Sequence, residues 1–150
     1  MDDLRELYQE VILDHNKNPK NYGKLASANH ASEGYNPLCG DHLNLYLQVE
    51  DGRIRDLSFE ASGCAISKAS ASLMTAELKG KSLAEAQQLF KKFQHLITSR
   101  SDSEPDTDEL GKLVVFAGVR EFPLRVKCAS LAWHTMKAAL NEGEKVVSTE

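Results

Sequence analysis

The chain of 150 residues carries three cysteines, Cys39, Cys64 and Cys128, each in a local setting that suits a reactive thiolate. Cys39 lies in the turn-forming run Asn36-Pro37-Leu38-Cys39-Gly40-Asp41, which offers a carboxylate two residues after the thiol and on the same side of an extended segment. Cys64 follows Ser62-Gly63 and opens a run of small, helix-tolerant residues. Cys128 falls in the first turn of the last helix that the pattern predicts. Because helix N-termini stabilise anions, two of the three thiols stand where the thiolate is favoured. Cys39, Asp41, Cys64 and Cys128 together make a four-ligand tetrahedral set. Thiolates are soft donors, and such a set suits zinc, with sulfur at ~2.3 Å and oxygen at ~2.0–2.2 Å, or iron in a cluster. Three thiolates and a carboxylate leave the site negative, and Arg125 and Lys127, just before Cys128, are the nearest counterions in the sequence.

The alternative is three buried, inert thiols behaving as small hydrophobes. The spacings of 25 and 64 residues match no zinc-finger pattern, so local context carries the metal reading. The five histidines add nothing to it. His15, His30 and His95 fall on expected exposed faces or loops, His134 sits in a helix beside Trp133, and His42 should point away from its neighbour Asp41.

These residues must be positioned by the elements around them. Leu4, Leu7, Tyr8, Val11 and Ile12 recur at helical spacing over residues 2–16, which predicts an amphipathic helix ended by Asn18-Pro19. A short strand is expected near residues 31–35. Leu43, Leu45, Leu47 and Val49 alternate with polar residues, Asp51-Gly52 is a hairpin signal, and Leu57, Phe59 and Ala61 return inward. That hairpin register brings Asp41 close to Cys64. A helix over residues 65–78 follows, its first turns mostly Ala and Ser and therefore able to pack closely. Ser82-Leu83-Ala84-Glu85 is a capping box before a helix with an apolar stripe of Leu89, Phe90, Phe93, Leu96 and Ile97. Residues 98–108 read as a mobile acidic loop. A short helix with Leu110, Leu113, Val114 and Ala117 precedes the last helix, to which Leu124, Leu131, Met136 and Leu140 supply apolar contacts. The expected fold is α+β, a small antiparallel three-stranded sheet with helices on one face, in one domain spanning residues 1–150.

With 41% hydrophobic and 27% charged residues the composition is that of a globular protein, and a net charge of −4 argues against nucleic acid as a partner. An odd cysteine count argues against a disulfide framework. No signal peptide and no run near the ~20 apolar residues that span a bilayer are present, so a cytoplasmic protein without a membrane partner is expected.

Four separated motifs resemble the U-type iron-sulfur cluster assembly proteins, IscU and SufU. They are Ile12-Leu13-Asp14-His15-Asn16-Lys17-Asn18-Pro19 with Asn21-Tyr22-Gly23, then Asn36-Pro37-Leu38-Cys39-Gly40-Asp41, then Gly63-Cys64-Ala65-Ile66-Ser67, and finally the run from Phe122 through Lys127-Cys128 to Trp133. The resemblance implies a metal or cluster site at Cys39, Asp41, Cys64 and Cys128 and a cysteine desulfurase as partner. IscU proteins carry a histidine immediately before the last cysteine, where this chain has Lys127. That departure, with a long segment between Cys64 and Cys128, points to the SufU branch, which implies a zinc-dependent acceptor of persulfide sulfur from a SufS-like desulfurase. Cys39, on a Pro/Gly loop that can swing, is then the expected sulfur acceptor, assisted by Arg125. The competing readings are a scaffold on which an iron or [2Fe-2S] centre is built and passed to apo-proteins, and a structural zinc domain without turnover. A downstream scaffold or apo-protein is the expected recipient.

Overall fold

A computed structural model describes residues 2–100, 108–141 and 146–148. The order is helix α1 (Asp2–Lys17), strands β1 (His30–Asn36), β2 (Asp41–Glu50) and β3 (Arg53–Ser62), helices α2 (Ala65–Leu78) and α3 (Leu83–Thr98), a 3-10 helix (Gly111–Glu121), helix α4 (Pro123–Leu140) and a short strand β4 (Val146–Ser148). The antiparallel sheet β3-β2-β1 is the expected one. β4 extends it by a fourth, three-residue strand that runs parallel to β1 and was not expected.

The period-2 pattern of β2 puts Asp41, Leu43, Leu45 and Leu47 against the helices and leaves His42, Asn44, Tyr46 and Gln48 on the outer face. The β2–β3 turn has Asp51 at φ 53° and Gly52 at φ 73°, the two left-handed positions of a tight hairpin. A bulge after Gln48 pairs Gln48 with Asp56 and Val49 with Ile54, leaving Arg55 as the extra residue. That extra residue resets the alternation, so Ile54 and Leu57 both face the core.

The Ala/Ser run of α2 packs closely on α4: the Ser70 hydroxyl donates to the Ala129 carbonyl at 2.6 Å and accepts the Trp133 indole N–H at 3.2 Å. Trp133 in turn stacks on Phe93 of α3 with ring centroids 4.6 Å apart. The capping box forms as read, with Ser82 Oγ accepting from Glu85 N and Glu85 Oε1 accepting from Ser82 N. The apolar stripe of α3 faces inward through Leu89, Phe93, Leu96 and Ile97.

Three expectations need correcting. His15 is buried, not exposed, and its Nδ1 lies 2.7 Å from Ser72 Oγ, tying α1 to α2. His30 is half-buried, with Nδ1 3.0 Å from the Ala139 carbonyl. Leu124, expected in the core, is 58% exposed. The segment after Leu110 is a 3-10 helix whose Leu113 is fully buried. Most of the acidic loop, residues 101–107, lies outside the described residues. Among the described residues no helix is long and apolar enough to cross a membrane.

Candidate metal centre

Strand register brings the donors together. Asn36 and Asp41 are paired partners that close the β1–β2 hairpin, so residues 37–40 form its turn and Cys39 rides on that turn, exposed. Gly40 at φ 71° supplies the left-handed residue that lets the chain re-enter β2. On the other side of β2, His42 pairs with Ser62, which sets Gly63 and Cys64 beside Asp41. Gly63 has φ 122°, and a Cβ there would strike Asp41 Oδ1 and stand 2.7 Å from Asp41 Cα. Only glycine permits this approach. α4 packs across β1 and β2 and delivers Cys128 from below.

The ligand atoms of Cys39, Asp41 and Cys128 all lie within 4.8 Å of one another. Cys128 and Cys39 bring their sulfurs to 3.2 Å, and Cys64 Sγ stands 3.7 Å from Asp41 Oδ2 on the flank of that group. Two thiolates on one tetrahedral zinc are about 3.8 Å apart, so donors at these separations can share one ion with small side-chain adjustments. Cys128 is fully buried and Asp41 is 2% exposed, so the cluster opens to solvent through Cys39. The donor set and its burial fit zinc, and they fit iron as well.

Asp41 is held from two directions: Oδ1 accepts the Cys64 N–H at 2.7 Å and Oδ2 accepts from Asn36 Nδ2 at 3.2 Å. It fixes the start of α2. Cys64 is the N-cap of that helix, its Sγ accepting the Ser67 N–H at 3.5 Å. Cys128, by contrast, stands in the second turn of α4, which begins at Pro123, so the expected support from a helix N-terminus reaches Cys64 and not Cys128. The acidities follow. Without metal, the hydrogen bond from Cys128 brings the Cys64 thiol down to about 7, with help from Ser67 N and against desolvation and Asp41. The same hydrogen bond, burial and the nearby Cys39 and Asp41 push the Cys128 thiol far up.

Among the described residues the exposed Arg125 guanidinium makes no ion pair or hydrogen bond, and Lys127 is half-buried. Among the described residues no histidine enters the cluster. His42 points to the outer face as expected, stacked on Tyr35 at 4.7 Å and 3.3 Å from Glu33. Two residues that support the donors went unread in the sequence, Asn36 and Gly63. The signal for Asn36 was its parity, since an inward polar residue at the end of β1 must face Asp41 across the hairpin.

The NifU-like N terminal domain matches residues 7–129. The chain is 39% identical to a protein named iron-sulfur cluster assembly scaffold protein IscU from Streptococcus pyogenes serotype M1, over 91% of this chain and 84% of that one. It is 37% identical to one named zinc-dependent sulfurtransferase SufU from Bacillus subtilis (strain 168), over 94% of each. A solved structure from Fervidobacterium islandicum AW-1, described as an iron-sulfur cluster assembly scaffold protein for the SUF system, superposes with a TM-score of 0.81 at 37% identity, covering 87% of this chain and 94% of that one. By the family match over residues 7–129 and these identities over most of the chain, the chain belongs to the NifU-like N-terminal domain family, among the IscU and SufU type of iron-sulfur cluster assembly proteins.

Proposed function

We propose that the protein is a zinc-dependent sulfur acceptor in iron-sulfur cluster assembly, taking persulfide sulfur from a cysteine desulfurase onto Cys39. One observation carries this reading: of three converging thiols, Cys39 alone is exposed and lies on a turn, while Cys128 is fully buried and Cys64 caps a helix. Cys39, Asp41, Cys64 and Cys128 hold the metal. Zinc has no redox chemistry of its own, and when bound it keeps the thiolates ionised and protected from oxidation.

The transfer is a thiol exchange in which the Cys39 thiolate attacks the terminal sulfur of the desulfurase persulfide. A bond forms between Cys39 Sγ and that sulfur, the sulfur–sulfur bond of the donor breaks, and the desulfurase cysteine leaves as a thiolate. Electrons balance without an external oxidant or reductant. Arg125 and Lys127 offset the negative charge that gathers during the exchange. Leu38 beside Cys39, and Phe122 and Leu124 at the start of the helix that carries Cys128, are exposed apolar side chains suited to contact with a protein partner. The sulfur then passes to a downstream scaffold or apo-protein.

The test incubates the zinc-loaded protein with a cysteine desulfurase and cysteine, traps persulfides by alkylation and maps them by peptide mass. Persulfide on Cys39 is expected. Persulfide on Cys64 or Cys128 with Cys39 unmodified, or undiminished stimulation of the desulfurase by Cys39→Ala, would overturn the assignment. The scaffold reading is favoured by the similarity to relatives named as scaffolds. Lys127, in place of a histidine that would add a cluster ligand, weighs against it. A brown product with charge-transfer absorption after anaerobic iron and sulfide would favour the scaffold.

A further inference from the structure

We propose that Asn36 is a positioning residue that selects which thiolate accepts sulfur, by anchoring Cys128 and Asp41 and so leaving Cys39 as the nucleophile. This rests on the sulfur-acceptor reading above. Asn36 is fully buried, and its Nδ2 group donates both hydrogens into the cluster, to Asp41 Oδ2 at 3.2 Å and to Cys128 Sγ at 3.4 Å. Its Oδ1 is buried with no hydrogen-bond partner. Turning the amide over would set its carbonyl oxygen against the Asp41 carboxylate, two acceptors facing each other, and would lose the N–H donated to Asp41 Oδ2. The Asp41 carboxylate therefore dictates the amide orientation, and the orphaned side-chain oxygen is the cost of aiming both N–H groups into the cluster.

The three sulfurs are then unequal. Cys128 receives the Asn36 amide, and Cys64 receives the Ser67 N–H. Among the described residues Cys39 Sγ has no N–H donor and meets only the Cys128 thiol, at 3.2 Å. An N–H donor stabilises charge on sulfur and makes the thiolate a weaker nucleophile. Cys39 lacks that restraint and sits on the exposed turn, so it is the thiolate that reacts. The backbone carbonyl of Asn36 accepts the Cys39 N–H at 3.3 Å, a bond that substitution of the side chain leaves in place.

The experiment compares zinc-loaded wild type, Asn36→Ala and Asn36→Asp, measuring zinc release to a chromogenic chelator and the position of persulfide after reaction with a desulfurase and cysteine. Wild type comes first: persulfide absent from Cys39 there would overturn the acceptor reading and, with it, the selection assigned to Asn36. With Cys39 modified in wild type, Asn36→Ala should release zinc at least tenfold faster and should carry persulfide on Cys128 or Cys64 as well as Cys39. Asn36→Asp, of the same shape but with an acceptor replacing the donor, should release zinc faster still; should it fail to fold, Asn36→Ser takes its place. Persulfide still confined to Cys39 in Asn36→Ala, or an unchanged release rate, would overturn the proposal. A purely structural role would lower the melting temperature of the zinc-free protein and move neither readout.

Discussion

Replacing Gly63 by alanine should damage the site through Asp41, and a second glycine provides the control. Gly63 and Gly23 have nearly the same backbone, at φ 122° and φ 128°. A Cβ at Gly23 meets nothing within 4 Å, whereas at Gly63 it strikes Asp41 Oδ1 and stands 2.7 Å from Asp41 Cα and 3.1 Å from Cγ. Both variants bear the strain of a side chain in a conformation reserved for glycine, about 1–3 kcal/mol. Gly63→Ala adds overpacking of about 1–3 kcal/mol against a backbone atom that cannot swing aside. At roughly 2–4 °C per kcal/mol for a chain of this size, zinc-free Gly63→Ala should melt roughly 2–12 °C below zinc-free Gly23→Ala. Circular dichroism of the two proteins measures that difference. Displacing the Asp41 carboxylate also loosens its bond to Cys64 N, so Gly63→Ala should lose zinc affinity in chelator competition while Gly23→Ala keeps it. Equal melting temperatures and equal affinities would refute the reasoning that Gly63 exists to admit Asp41.

The double variant Cys64→Ser, Cys128→Ser should lose zinc and the stability that zinc confers, because the ligands come from segments far apart in the chain; full zinc occupancy by metal analysis would contradict the ligand assignment. Asp41→Ala should retain a three-thiolate site, with weaker binding and faster zinc release than wild type but a smaller loss than for a cysteine; equal affinity and release rate would mean that Asp41 is no ligand. Stability should fall as pH drops below about 6.5, since burial holds the His15 pKa below its ordinary value, partly opposed by Asp14, and burial with Lys137 does the same for His134. The unfolded chain binds protons first in that window, so the loss begins at the unfolded pKa and levels off below the folded ones. The Ser72 hydroxyl, which accepts the Lys20 N–H, has its own proton to give to neutral His15 Nδ1; His15→Gln should flatten this dependence, and a urea midpoint equally steep in pH for the variant would exclude His15 as a cause.

Much of this was legible in the sequence because it depends on local pattern. The alternation of β2, the hairpin at Asp51-Gly52, the capping box at Ser82 and the small residues of α2 all act within a few residues of chain, and each formed as read. β4 was missed because three residues, Val146-Val147-Ser148, are too few to show a period, and their partner β1 lies over a hundred residues away. His15 was judged by residue type, although it falls four residues after Val11 and three after Ile12, on the helical face that packs on the core. The turn containing Cys128 was misplaced although Pro123 marks the start of α4.

The donor residues were recognisable by type, but the reason they meet is a matter of register. β2 is the central antiparallel strand, and Asp41 stands at its start, paired with Asn36 on one side and one step beyond the His42–Ser62 pair on the other. Asp41 thus stands between the turn that carries Cys39 and the cap that carries Cys64. Sliding either hairpin by one residue would turn Asp41 to the outer face, where His42 now lies, and would part it from Asn36, Cys64 and Cys128 together. The inward leucines Leu43, Leu45 and Leu47 resist that slip, because each would have to leave a fully buried place. The hydrophobic alternation of β2 thus fixes the geometry of the clustered donors at its start.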